Sequence, residues 1–282
     1  MLVDLHMHTV FSDGTDTVHE LFLRSLEAGI KLISITDHDN IDAQATAMNC
    51  AQDKDLPYIP AVEISCEGPG TLDLLGYGIN LGNSDLLNML SLITHRRRER
   101  NIRLIERMKE LGIRISDEET DSLASENNTG RLHFARLLAE KGYAASLEEA
   151  FNSFLTSGGR AYVERHKLPP EVVMETIRGA GGLSVLAHPL SLGLTSAELI
   201  DELRLLKEKG LEGVEVFYKE YDKDSQEELL DIAEQLSLVP TGGSDHHGEN
   251  KPWLSPGVDM PERFVKKLLL RINLAEYWHR MR

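Results

Sequence analysis

The chain has 282 residues, of which 41% are hydrophobic and only 6% aromatic, and its formal net charge is −16. That length accommodates one large domain, or one domain carrying an insertion. The acidity argues against a protein that grips long nucleic acid, which usually needs a basic face, and no run of about 18 apolar residues suggests a membrane span.

Seven short apolar runs read as buried strands: Leu2–His6, Lys31–Thr36, Tyr58–Ser65, Thr71–Tyr77, Leu183–His188, Gly213–Phe217 and Leu238–Ser244. Amphipathic patterns separate most of them. Thr17–Ala28 sets Val18, Leu21, Phe22 and Leu26 on one stripe, with Gly29 placed to end the helix. Pro169–Ala180, Ala197–Lys209 and Ser225–Leu236 repeat the pattern. Near-continuous apolar strands alternating with such helices predict an α/β fold, a parallel sheet covered by helices. Seven strands with polar C-terminal ends favour a barrel over an open sheet. Between Leu86 and about Lys167 the alternation stops. Helical patterns over Leu86–Leu111, Leu132–Lys141 and Leu147–Thr156 predict an α-helical insertion. The expected division is a barrel of residues 1–85 and 168–282 and an inserted domain of residues 86–167.

The first residues enter a strand directly, without the basic and apolar regions of a signal peptide. Cys50 and Cys66 belong to no Cys-x-x-Cys pair. A cytoplasmic location with free thiols is therefore expected, and thiolate zinc is not.

The informative residues stand at the C-terminal ends of the apolar runs. His6 and His8, one residue apart, face the same side of a strand. Asp245 and His247 repeat that spacing, and between the two pairs lie Asp13, Asp37-His38-Asp39, Glu63 and Ala187-His188-Pro189. Residues i and i+2 on a strand are about 6.6 Å apart, so each pair can serve one ion or two neighbours. Paired ions in phosphatase sites stand about 3.5–4 Å apart, and Glu63 is the natural carboxylate to bridge them. Each motif alone has a plainer explanation: surface histidines, a turn at Asp13-Gly14, helix caps at Asp37 and Asp39. Taken together, five strand ends offering imidazole or carboxylate point to a metal centre.

His6-Met7-His8, Phe11-Ser12-Asp13-Gly14, Ile35-Thr36-Asp37-His38-Asp39, Glu63, Ala187-His188-Pro189 and Gly243-Ser244-Asp245-His246-His247 resemble the motifs of the PHP (polymerase and histidinol phosphatase) family, in that family's order. The similarity spans essentially the whole chain and is closest to small stand-alone bacterial members that dephosphorylate nucleotides. It implies a distorted (β/α)7 barrel with a helical insertion, and two or three divalent ions: manganese, iron, zinc or magnesium. By that resemblance His6, His8, Glu63 and Asp245 hold the first ion. Glu63, Asp73 and His188 hold the second, and Asp13, His38 and His247 the third. The chain departs from the family at Asp13, where many members have His, and at Asp73, where this subgroup commonly has His. His6, His8, Glu63, His188 and Asp245 are the residues expected to carry catalysis.

Gly130-Arg131-Leu132-His133 opens a helix in the insertion. A helix start favours anions, and arginine's planar fork matches phosphate. The motif resembles a phosphate-contacting element of the nucleotide-acting members, which makes Arg131 and His133 the substrate-binding candidates and the insertion a lid. Most arginines of His95-Arg96-Arg97-Arg98-Glu99-Arg100 read instead as a solvated helix face, with Glu99 paired to Arg103. His246 faces away from its two neighbours, and Glu215 is placed to orient a ligand histidine.

The expected activity is hydrolysis of a nucleotide phosphate monoester by metal-bound hydroxide, with inversion at phosphorus. The substrate is a small nucleotide, either a nucleoside monophosphate or a 3′,5′-bisphosphate. The leaving group would take its proton from water, His133 or His246. Three alternatives remain open: 5′-to-3′ trimming of short RNA, a histidinol-phosphate-type phosphatase, and a metal-binding protein without catalysis. The chain has neither a P-loop nor a Gly-x-Ser-x-Gly elbow.

Overall fold

The computed structural model describes residues 1–125 and 129–281. In chain order the elements are β1 (Leu2–Val3), α1 (Val18–Glu27), α2 (Gln44–Asp53), β2 (Ala61–Ser65), β3 (Asp73–Tyr77), α3 (Ser84–Glu110), α4 (Asp117–Ser125), α5 (Arg131–Glu140) and α6 (Leu147–Ala150). There follow α7 (Pro170–Gly179), β4 (Leu183–Leu186), α8 (Ser196–Glu208), β5 (Gly213–Tyr218), α9 (Lys223–Gln235), β6 (Val239–Gly243), β7 (Val258–Asp259), α10 (Glu262–Arg271) and α11 (Ala275–Arg280). The chain forms two compact units, Met1–Met89 with Leu168–Arg282, and Leu90–Lys167. No described helix is long and apolar enough to cross a membrane.

In the first unit, β2 to β6 form one sheet in the order β2-β3-β4-β5-β6, and β1 pairs with β7. One expectation needs correcting. The sheet is mixed rather than parallel, because β2–β3 and β3–β4 are antiparallel while β4–β5 and β5–β6 are parallel. Residues 66–72 are too few for a crossover helix, so β3 folds back on β2 as a hairpin. The run Lys31–Thr36 lies outside the named strands but is paired on both sides: it exchanges backbone hydrogen bonds with Leu2, Asp4 and Met7 on one side and with Pro57 and Ile59 on the other, and Ile33 bridges both Asp4 and Tyr58. Single bridges also join Met7 to His246 and His38 to Glu63, which brings four site-bearing segments alongside one another.

The helices follow their sequence signals. Thr17 Oγ1 accepts from the Glu20 amide at 3.3 Å, and the Glu20 carboxylate accepts from the Thr17 amide at 2.7 Å, which closes both ends of a capping box on α1. Gly29 follows with φ +76°, the left-handed conformation that ends a helix cheaply only in glycine. Leu21 and Phe22 of α1, with Ala47 of α2, pack on Met7, Ile33 and Ile35. The second unit has its own core, in which Leu104 and Met108 of α3 meet Phe134 and Leu138 of α5 and Phe154. After α6 the chain takes one wider turn over Phe151–Leu155, so the predicted helix Leu147–Thr156 is a short helix plus this turn. The patterns at α2, α4, α10 and α11 had not been read as helices. In the basic stretch of α3, Arg97 and Arg100 are buried, and Glu99 meets His95 rather than the predicted Arg103.

A buried carboxylate aligns the two strand ends that matter most. Asp4 accepts from the amides of His6 (3.3 Å), Ser244 (2.9 Å) and Gly257 (2.6 Å), and from Ser244 Oγ at 2.6 Å. Burial raises its pKa, and these hydrogen bonds oppose the rise. Contact here is tight: a Cβ on Gly243 would stand 2.3 Å from His6 Cβ and 2.6 Å from the His6 amide nitrogen. Gly243→Ala should therefore push β6 from the His6 strand and lose about 1–3 kcal/mol of stability. Thermal unfolding measures this, and an unchanged melting temperature would refute the packing argument.

Candidate metal centre

Glu63, fully buried in the middle of β2, is the hub. One of its oxygens lies 3.4 Å from His6 Nε2 and 3.1 Å from His188 Nε2. The other lies 3.2 Å from His8 Nε2 and 3.0 Å from His38 Nδ1. Around this carboxylate the donors fall into three groups, each with its ligand atoms within 4.8 Å of one another: His6, His8 and Glu63; Glu63, Asp73 and His188; and His8, Asp13, His38 and His247. Asp245 Oδ1 stands 3.5 Å from His6 Nε2 and 3.2 Å from His8 Nε2. All nine residues predicted as ligands are thus brought together.

Apart from the hydrogen bond between His188 Nε2 and Glu63 at 3.1 Å, several of these atoms are close without being hydrogen-bonded. His6 Nε2, His8 Nε2, His38 Nδ1, Asp13 Oδ1, Glu63 Oε2 and Asp73 Oδ1 are buried with no hydrogen-bond partner among the described residues. Orphaned polar atoms in an interior are costly unless something else satisfies them. Imidazole nitrogens and carboxylate oxygens converging with their lone pairs inward are what a divalent cation requires. The residues present fit such ions.

The charges point the same way. Burial alone would raise the Glu63 carboxyl, but His38 and His6 hold it well below the usual carboxylate range. Asp13 and Asp245 behave alike, with His247 the chief opponent of burial in both. Burial pushes the His38 imidazolium down, yet Glu63 and Asp13 raise it to about 10. His6, His8 and His188 are raised in the same way, whereas burial and the neighbouring His8 lower His247.

Further residues hold these donors in place. His6 Nδ1 lies 3.1 Å from a Glu215 oxygen, and the other Glu215 oxygen accepts from the His188 amide at 2.8 Å. Orienting a ligand imidazole through its second nitrogen fixes its tautomer and ring plane. A bulge in β5 between Glu215 and Phe217 adds one residue to the strand. Without it, positions 215 and 218 would face opposite sides. With it, both reach the site: Tyr218 Oη donates to Asp245 Oδ2 at 2.8 Å. Lys251 Nζ also reaches that oxygen. Asp37 is not a helix cap. It accepts from the Thr9 amide (2.8 Å), Thr9 Oγ1 (2.7 Å) and Ser12 Oγ (2.6 Å), which ties the loop after His8 to the strand end carrying His38. Asp39 caps no helix either; its Oδ1 accepts from the Ser65 amide at 3.3 Å.

Asp4, Asp37, Tyr218 and Lys251 were not singled out in these roles from the sequence. The signal for Asp4 was present: a carboxylate inside the apolar run Leu2-Val3-Asp4-Leu5. His246 is buried, with Nε2 2.8 Å from Asp16 Oδ2 and Nδ1 bonded to the Leu254 carbonyl. Both ring nitrogens are engaged, so it is not the proton donor considered above. Arg131 and His133 lie in the second unit at the start of α5. Arg131 is exposed and donates to the Leu155 carbonyl at 3.3 Å. His133 Nδ1 accepts from the Gly130 amide at 3.1 Å and closes the first turn.

A family model described as the PHP domain matches residues 4–170. The chain belongs to that family. It is 31% identical to the 5′-3′ exoribonuclease Rnm of Escherichia coli over 99% of this chain and 93% of that protein. It is 30% identical to the 3′,5′-nucleoside bisphosphate phosphatase of Chromobacterium violaceum over 87% of each. A candidate metal-dependent phosphoesterase of Bifidobacterium adolescentis superposes with a TM-score of 0.82 at 28% identity, over 95% of both chains. With this site and this family, the chain is a metal-dependent phosphoesterase.

Loading ions onto protonated imidazoles must expel their protons. His38, raised to about 10, stabilises the ion-free fold below the ordinary histidine value of 6.5, and that contribution fades as pH rises toward its folded value. Metal affinity should therefore climb between about pH 6 and 8, with proton release on binding. Calorimetric titration in buffers of different ionisation enthalpy measures that release, and affinity flat across the range would contradict it. Glu215→Gln, which weakens the hold on His6, should cost about 10–100-fold in metal affinity.

Proposed function

We propose that the protein hydrolyses phosphate monoesters of nucleotides, using two or three divalent ions of manganese, iron, zinc or magnesium. His6, His8, Glu63 and Asp245 hold the first ion and Glu63, Asp73 and His188 the second. Asp13, His38 and His247 hold the third, with His8 facing both the first and the third groups. The observation that carries this reading is one buried carboxylate, Glu63, shared by four imidazoles. Bound divalent ions supply Lewis acidity toward phosphoryl oxygens and bring the pKa of water from 15.7 to about 7.

The chain's own residues provide the rest. Glu63 presents one oxygen to each side, so it holds two donor groups in register. Lys251 and Tyr218 both engage Asp245 Oδ2 and leave Oδ1 directed at His6 and His8. Burial and Asp245 raise the Tyr218 phenol, so it keeps its proton and donates it to a carboxylate. His188, in contact with Glu63 and edge-on to the Tyr218 ring at 5.9 Å, is fixed on the opposite side of the hub from His38 Nδ1 and His8 Nε2.

In a protein of net charge −16, Arg97 and Arg100 are 8% and 4% exposed. Burial, and then Arg97, Arg165 and Arg131, press the Arg100 guanidinium well below its usual range. Arginine's planar fork suits phosphate. Arg131 and His133, at the start of α5, are the proposed phosphate contacts. The similarity to a bisphosphate phosphatase supports a bisphosphate. The similarity to an exoribonuclease over nearly the whole chain supports a second reading, stepwise trimming of short RNA.

A phosphate-release screen over nucleoside monophosphates, 3′,5′-bisphosphates and short RNA, with the four metals varied, tests the reading. Glu63→Gln should lower turnover by at least about 100-fold through lost metal. Arg131→Ala should raise KM for a bisphosphate by about tenfold, with a smaller effect on p-nitrophenyl phosphate. Absence of phosphate release from every compound, in protein shown by elemental analysis to hold its metals, would overturn the assignment.

A further inference from the structure

The chain has two tryptophans with opposite environments. Trp278 is 8% exposed, whereas Trp253 is 66% exposed, the highest value among the large apolar side chains described. Trp253 is nevertheless fixed. Its Nε1 donates to one Glu220 oxygen at 3.0 Å. The Tyr218 hydroxyl stands between the other Glu220 oxygen, at 3.2 Å, and Asp245 Oδ2, at 2.8 Å, and donates to one of them at a time. A short chain of polar contacts thus joins the exposed indole to a carboxylate of the metal centre.

The backbone carrying Trp253 is pinned on both sides. Lys251 Nζ reaches Asp245, the Leu254 carbonyl meets His246, and the Gly257 amide donates to Asp4. Lys219 Nζ donates to Ser255 Oγ and to the Gly257 carbonyl. Next to the indole's anchor, the Tyr221 ring lies 4.8 Å from that of Tyr218, and its hydroxyl accepts from the Leu190 amide, two residues past His188. The result is an aromatic rim bordering Asp245 and His188. Its lysines are turned inward and its open charge is the carboxylate of Glu220, so the rim does not suit a second phosphate. An uncharged flat ring does suit it, because every nucleobase has a face that stacks on an aromatic side chain.

We propose that Trp253 is the platform on which the substrate's nucleobase stacks, with Glu220 fixing the plane of the indole. The proposal rests on the nucleotide reading above and adds the element that tells a nucleotide from other phosphate monoesters. Stacking recognises a π-face rather than an edge pattern, so discrimination among bases should be weak.

The test uses the full-length, metal-loaded protein carrying Trp278→Phe, in which Trp253 is the sole indole. Adenosine, which carries no phosphate, should shift or quench its fluorescence in a saturable way, and ribose should not. In a second measurement, kcat/KM is compared for adenosine 3′,5′-bisphosphate and for 2-glycerol phosphate, a monoester without a base. Trp253→Ala should lower the ratio of the two about tenfold, and Trp253→Phe should restore most of it. Fluorescence indifferent to adenosine, or a ratio unchanged in Trp253→Ala, overturns the proposal while leaving the phosphoesterase assignment standing. If 2-glycerol phosphate and the bisphosphate both resist hydrolysis by the metal-loaded wild type, the functional reading fails, and the proposal fails with it.

Discussion

A carboxylate taken wholly out of water must find positive charge, and around Glu63 that demand shapes the molecule. Desolvation alone would protonate it. Four imidazoles within 3.0–3.4 Å keep it ionised instead. Asp13, Asp73 and Asp245 crowd the same space, and several buried atoms there have no hydrogen-bond partner among the described residues. Protons on the histidines are one way to balance so many acids, and divalent cations are the other. The second also satisfies the lone pairs that the first leaves idle.

Holding such a cluster against its own repulsion needs a rigid surround. Three more buried carboxylates serve as ties rather than as donors to the hub: Asp4 joins the His6 strand to the Asp245 end, Asp37 joins the loop after His8 to the His38 segment, and Glu215 joins His6 to His188. The backbone bends to the same purpose. Asp39, His188 and Asp245 adopt φ of 53°, 27° and 54°, a region that residues with a Cβ rarely enter. Strain of this kind gathers where surrounding contacts over-determine a position, and three of the six such residues among those described lie at this site.

Much of this was legible in one dimension. A strand's period of two puts His6 with His8 and Asp245 with His247, and apolar runs ending in polar residues place those residues at strand ends. Helices α3, α5 and α6 were legible because their stretches carry a helical period and no strand-like apolar run lies between them. Other features were not. The β2–β3 hairpin was misread as part of a parallel sheet because both strands are buried on two faces and lack the alternation that marks a hairpin. The burial of Arg97 and Arg100 was not legible, because charge in a helix normally faces water, and nothing local announces the partners that permit burial.

The sequence by itself determined which chemistry the protein could perform, because donor type and local periodicity are properties of neighbours along the chain. Only the tertiary structure decided how the donors combine. Glu63, His188 and Asp245 are separated by scores of residues, and their meeting depends on strand pairing and on one extra residue in β5 that turns both Glu215 and Tyr218 toward the site. Pairing of that kind is fixed by which buried faces fit together, a condition no stretch of sequence carries alone.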